Sequence, residues 1–161
     1  MLIDLHIHSQ FSFDSKEKIE NYVKAAKMRS IPVIGFSEHY DYDAVLDGEN
    51  IAPCDISSYD KYINELELKE ISLGILKGIE FGYRDISVTK YRQLTAEYDF
   101  DYIINSVHTL PNRGDCFHER FFAGRPLKES YRDYLNAVLE SIYADFDFQI
   151  IGHIGYVSRY R

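Results

Sequence analysis

Five of the six histidines in this sequence stand at or next to the end of a run of apolar residues, and one such run ends in glutamate. The first stretch, Leu2-Ile3-Asp4-Leu5-His6-Ile7-His8-Ser9, alternates apolar and polar residues as a β-strand does. Side chains two apart on a strand share a face, so His6 and His8 point the same way and can grip one cation. His39 follows Val33-Ile34-Gly35-Phe36, His108 follows Tyr102 to Val107, and His153 follows Gln149 to Gly152. Between them, the run from Leu76 to Phe81 delivers Glu80. Imidazole nitrogens with few carboxylates suit zinc, manganese or iron, whereas calcium and magnesium prefer oxygen. His6, His8, His39, Glu80, His108 and His153 are too many donors for one tetrahedral zinc, so more than one ion is implied. Glu80 is the only acid of the set, and its two oxygens can bridge two metals. Adjacent metals acidify a bridging water and clamp a phosphoryl group, which is the chemistry of a phosphoesterase.

The elements between these residues place them on one rim. A helix capped by Ser15 presents Ile19, Tyr22, Val23 and Ala26 on one face and is stopped by Pro32. Tyr59, Tyr62, Ile63 and Leu66 mark a second helix, and Val88, Tyr91, Leu94 and Thr95 a third. Pro126 stands where the fourth begins, and Tyr131, Tyr134, Leu135, Val138 and Ile142 form its apolar face. Two long loops remain, from Tyr40 to Ser57 and from Thr109 to Arg125. Strands alternating with helices predict an α/β fold with a parallel sheet and right-handed crossovers. In a parallel barrel the C-terminal strand ends converge, which is where active sites are found.

Composition narrows the partners. The 161 residues make one domain, with 45% hydrophobic and 27% charged residues. A formal net charge of −8 and no stripe of Lys or Arg argue against nucleic acid. No run of membrane-spanning length and no leader pattern is visible, so a cytoplasmic protein without a membrane partner is expected. Cys54 and Cys116 lack CxxC spacing and read as free thiols. Without a Gly-x-Ser-x-Gly elbow or a cysteine P-loop, no side chain is expected as nucleophile, and that role falls to metal-bound hydroxide.

His6-Ile7-His8, Glu38-His39, Gly78-Ile79-Glu80, Ser106-Val107-His108 and Gly152-His153 together resemble the successive motifs of the PHP (polymerase and histidinol phosphatase) superfamily. Ser37-Glu38-His39, Phe121-Phe122-Ala123-Gly124 and the segment Gly152 to Tyr160 most resemble its histidinol-phosphate phosphatases. The resemblance implies a distorted TIM-like (β/α)7 barrel with two to three divalent ions, zinc, manganese or iron. His6, His8 and Glu80 would hold the first ion; Glu80, His108 and His153 the second; Asp14 and His39 the third. Arg159 would bind the substrate phosphate, with Arg161 a weaker candidate. Glu38 would support a ligand rather than be one, and His118 matches no ligand position, which leaves it solvated or facing substrate. The implied activity is hydrolysis of L-histidinol phosphate to L-histidinol and phosphate.

One departure qualifies this. Family members continue through two more strands and a late Asp-x-His that completes the first and third sites, and no such motif occurs here. Residues 1–161 therefore read as the N-terminal part of a PHP domain, an incomplete barrel of about five β/α units with weak or absent turnover of its own. A homodimer in which a second copy covers the open edge is the other way to close it. Two rival functions stand beside the leading one: a PHP-type phosphoesterase for phosphotyrosine or nucleotides, and a non-catalytic metal-binding assembly module.

Overall fold

The computed structural model describes residues 2–46 and 49–160, with the backbone alone for Leu46, Arg159 and Tyr160. Five parallel strands form one curled sheet: β1 (Ile3–Ile7), β2 (Val33–Tyr40), β5 (Gly74–Gly82), β6 (Tyr102–Ser106) and β9 (Ile150–Ile151). Their spatial order is their chain order, so each crossover advances by one strand and the sheet forms half of a barrel wall. The connections are α1 (Ile19–Met28), α2 (Ile56–Lys69), α3 (Val88–Glu97) and α5 (Leu127–Ser141), as the helical periodicities predict. Register aligns the strand ends: His39 pairs with Glu80, and Glu80 with Ile104.

Details differ from expectation where distant partners decide. Helix α1 starts at Ile19 after Lys18, four residues beyond Ser15, because the Gln10 side-chain oxygen accepts from Ile19 N at 2.9 Å and takes the capping role. It ends before Pro32, in a Schellman turn: Ser30 adopts φ 54°, and Ile31 N donates to the Ala26 carbonyl at 3.0 Å. The long loops hold two hairpins, β3 (Val45–Leu46) with β4 (Glu49–Asn50), and β7 (Thr109–Leu110) with β8 (Gly114–Asp115), followed by the short α4 (Glu119–Phe122).

Tyrosines tie the helices to the sheet. Tyr59 is fully buried, its hydroxyl 2.9 Å from the Phe36 carbonyl and 3.0 Å from that of Gly78. Tyr91 stacks on Phe81 with its hydroxyl 2.6 Å from the Gly82 carbonyl. Inside the curl, the Tyr102 ring lies over Gly78, where a Cβ would fall 2.2 Å from its Cζ, and its hydroxyl donates to the Leu5 carbonyl at 2.7 Å. Cys54 and Cys116 are free and buried, and burial raises both thiol pKa values. No helix of the described residues is long and apolar enough to cross a membrane.

Candidate metal centre

Glu80 is the middle of the site. It lies near the end of the central strand β5, fully buried, and its carboxylate faces five imidazoles. One oxygen, Oε2, lies 3.1 Å from His6 Nε2, 3.4 Å from His8 Nε2 and 3.3 Å from His39 Nδ1. The other, Oε1, lies 3.0 Å from His153 Nε2 and 3.3 Å from His108 Nε2, and accepts from the Ser106 hydroxyl at 2.5 Å. Each oxygen therefore has its own set of nitrogens, the arrangement a bridging carboxylate needs. On the far side of His39, Nε2 stands 3.5 Å from Asp14 Oδ2, and the His39 ring stacks on His8 at 4.1 Å.

The donor chemistry fits cations. His8 Nδ1, His39 Nδ1, Asp41 Oδ2, Glu80 Oε2 and His153 Nδ1 are buried without a hydrogen-bond partner. His108 Nε2 and His153 Nε2 face one another at 3.3 Å, a spacing that two lone pairs hold only around a shared proton or cation. Among the described residues, three donor groups are compact enough to hold an ion: His6, His8 and Glu80; His8, Asp14 and His39; and His39, Glu80 and His108.

Protonation follows from the same crowding. Burial, reinforced by His39, lowers the His8 pKa to about 4, so its ring is neutral and can offer a lone pair. Burial also opposes a proton on His39, but Asp14, Asp41 and Glu80 outweigh it and raise that pKa to about 9. Glu80 and Asp41 are held well below the usual carboxylate range, because facing imidazoles outweigh the cost of burial. Such a charge cluster at one buried point is what ions or their substitutes, protons, must neutralise.

Every described residue proposed from the sequence meets at this rim: His6, His8, Asp14, His39, His108 and His153 line one cleft of about 560 Å³, with Glu80 at its floor. The walls also include Phe13, Asp115, Phe117 and Tyr156. Glu38 stays behind the site, as expected, accepting from the Ser9 hydroxyl at 2.5 Å, the Ser12 hydroxyl at 2.5 Å and Ser9 N at 3.0 Å. His118 takes the N-cap position of α4 and is not part of the cleft wall. The Arg159 side chain and Arg161, the phosphate-binding candidates, lie outside the described residues. Asp41 was missed by the sequence reading. Its Oδ1 lies 2.7 Å from His108 Nδ1 and its Oδ2 3.3 Å from His39 Nδ1, and its place two residues after His39 was the available signal.

Known proteins resemble this chain in sequence and in fold. The chain is 29% identical over 160 residues to a Clostridium acetobutylicum protein named "Probable histidinol-phosphatase", covering 99% of this chain and 60% of that one. It is 28% identical to the histidinol-phosphatase of Lactococcus lactis, covering 98% of this chain and 58% of the relative. The chain thus spans about 60% of the length of these relatives. A crystal structure of histidinol phosphate phosphatase from Lactococcus lactis, complexed with zinc, L-histidinol and phosphate, superposes with a TM-score of 0.88 at 28% identity, covering 98% of this chain and 59% of that one. The family model described as PHP domain matches residues 4–161. The curled half-barrel is thus that of a shared fold, and the chain belongs to the PHP domain family.

Proposed function

We propose that this domain is the metal-binding part of a phosphomonoesterase that hydrolyses L-histidinol phosphate to L-histidinol and phosphate. The observation that carries the reading is the division of labour at Glu80, with His6, His8 and His39 against one carboxylate oxygen and His108 and His153 against the other. The similarity to a phosphatase that binds zinc, histidinol and phosphate supports both metal class and substrate. His6, His8 and Glu80 would hold one ion, Glu80, His108 and His153 a second, and Asp14 with His39 a third. Divalent ions bound there would supply an acidified water and neutralise phosphoryl charge. The chain's own contribution is to bridge and orient. Glu80 spans the two imidazole sets, Ser106 fixes one of its oxygens, and the cleft above admits a small phosphate ester. Arg159 would add a planar pair of donors to the phosphate oxygens.

The test uses the full reading frame that carries this domain, loaded with zinc or manganese and assayed for phosphate release. L-histidinol phosphate should be hydrolysed well ahead of phosphotyrosine and nucleoside monophosphates. Chelator should abolish release, and Glu80→Gln should remove both turnover and at least one bound ion by elemental analysis. Turnover that persists in metal-free protein, or wild-type metal content in Glu80→Gln, overturns the proposal.

A further inference from the structure

We propose that Asp41 is a positioning residue that sets the ring orientation of both His108 and His39, and so couples two ion sites through one carboxylate. The inference rests on the metal-centre reading above. Asp41 follows directly on β2, is 5% exposed, and makes with His108 Nδ1, at 2.7 Å, the shortest contact between a site histidine and a carboxylate among the described residues. An ionised carboxylate only accepts, so His108 Nδ1 directs its hydrogen at Asp41, and a bound cation would take the place of the second ring hydrogen on Nε2. That Nε2 is the atom directed at Glu80 and His153, both 3.3 Å away.

The second oxygen repeats the logic on the neighbouring ring. Asp41 Oδ2 and His39 Nδ1 are both buried without a hydrogen bond, and they face one another at 3.3 Å. With Nδ1 turned to Asp41, His39 presents Nε2 to Asp14, its companion in the outer donor group. His108 belongs to the inner group with Glu80, and His39 belongs to both, so one carboxylate orients a ring of the inner group and the ring that the two groups share.

The neighbouring backbone makes room for this carboxylate. A Cβ built on Gly82, at the end of β5, would fall 1.8 Å from Asp41 Oδ1 and 2.5 Å from its Cγ. Gly82 and Asp41 therefore form a matched pair: the missing side chain of one is the space the other occupies. Carboxylates that take the second ring hydrogen of a ligating histidine fix its tautomer, and losing one commonly weakens metal binding about 10- to 100-fold.

The experiment compares zinc affinity, by competition with a chelator, in wild type, Asp41→Asn, Asp41→Ala and Gly82→Ala, together with long-range proton–nitrogen spectra of the zinc-loaded proteins. Asp41→Asn keeps an oxygen that can accept from His108 Nδ1, so it should stay within a few-fold of wild type and retain the Nδ1-protonated pattern. Asp41→Ala should lose roughly 10- to 100-fold in affinity and the fixed tautomer of His108. Gly82→Ala, which displaces Asp41 without removing it, should share the Asp41→Ala spectrum. Wild-type affinity and an unchanged His108 pattern in Asp41→Ala overturn the inference alone. Equal loss in Asp41→Asn and Asp41→Ala also overturns it, since Asp41 would then be a ligand. Wild-type protein that takes up no zinc overturns the metal-centre reading and this inference with it.

Discussion

Gly152→Ala is the perturbation that most directly tests how the site is supported from behind. Gly152 has no left-handed φ, so its backbone accepts alanine and only space is at issue. The added methyl would lie 1.9 Å from Ser106 Oγ and 3.0 Å from Ile104 Cγ2. Ser106 Oγ is the group that donates to Glu80 Oε1 at 2.5 Å, so the serine must turn away and the bond to a buried carboxylate is lost. A hydrogen bond to a charged group contributes about 1.5–3 kcal/mol, and overpacking a core costs about 1–3 kcal/mol. Together the substitution should destabilise the metal-free protein by roughly 3–5 kcal/mol. Ser106→Ala alone loses the hydrogen bond but creates no clash, and should cost about 1.5–3 kcal/mol. In the Ser106→Ala background the Oγ clash is gone and the methyl meets only Ile104 Cγ2 at 3.0 Å and the Cβ of residue 106 at 3.1 Å, so Gly152→Ala should there cost about 1 kcal/mol. The double-mutant cycle thus predicts a coupling of about 2–4 kcal/mol, well outside the roughly 0.5 kcal/mol of additive pairs. Urea unfolding of the four metal-free proteins measures it, and zinc titration should show both single variants weakened. Additive costs in the cycle, or Gly152→Ala with wild-type zinc affinity, refute the reasoning.

Two further outcomes follow from the buried groups. The folded pKa of His39, about 9, lies above its unfolded value of 6.5, so the folded state binds more protons between those limits. Metal-free protein should therefore be stabilised fully below pH 6.5 and lose on the order of 3 kcal/mol as pH rises to about 9, whereas saturating zinc should hold stability up across the same interval. Denaturant midpoints at several pH values with and without zinc check this, and metal-free stability rising over that window contradicts it. Tyr59→Phe removes a fully buried hydroxyl that serves the Phe36 and Gly78 carbonyls; it should cost about 1–3 kcal/mol of stability and leave zinc affinity unchanged, as paired unfolding and metal titrations would show.

How much of this was legible in the sequence depends on the distance over which each feature is decided. The strand-end histidines were readable because a parallel sheet repeats one register: the chain returns to the same rim after each helix, so His39 lands beside Glu80. Helix α1 was misjudged at both ends because Gln10 and the Ser30 turn, not the nearest Ser and Pro, close it. The hairpins within the long loops are two residues per strand, too short for any periodicity to register. Asp41 fell outside the reading because it lies one residue beyond the strand, although its place two residues after His39 puts it on the same side of the chain.

The curl that assembles the site was expected from the resemblance to a barrel family, but the residues that make it were not legible in strand periodicity. β1 and β9 are the first and last strands of the five, and in a flat sheet four spacings of about 4.8 Å would hold them about 19 Å apart. Yet the His6 and His153 rings stack at 5.6 Å, and both reach the same carboxylate of Glu80. Strand order and strand ends alone cannot produce that contact; the sheet has to bend through it. The residue that spans the bend is Tyr102, whose ring fills the space left by Gly35 and Gly78 and whose hydroxyl reaches across to the Leu5 carbonyl, 97 residues away in sequence. Two glycines, each on a separate strand, and one tyrosine on a third are an ordinary set of residues until the fold brings them together. They determine whether six donors form one centre or two halves of a flat edge.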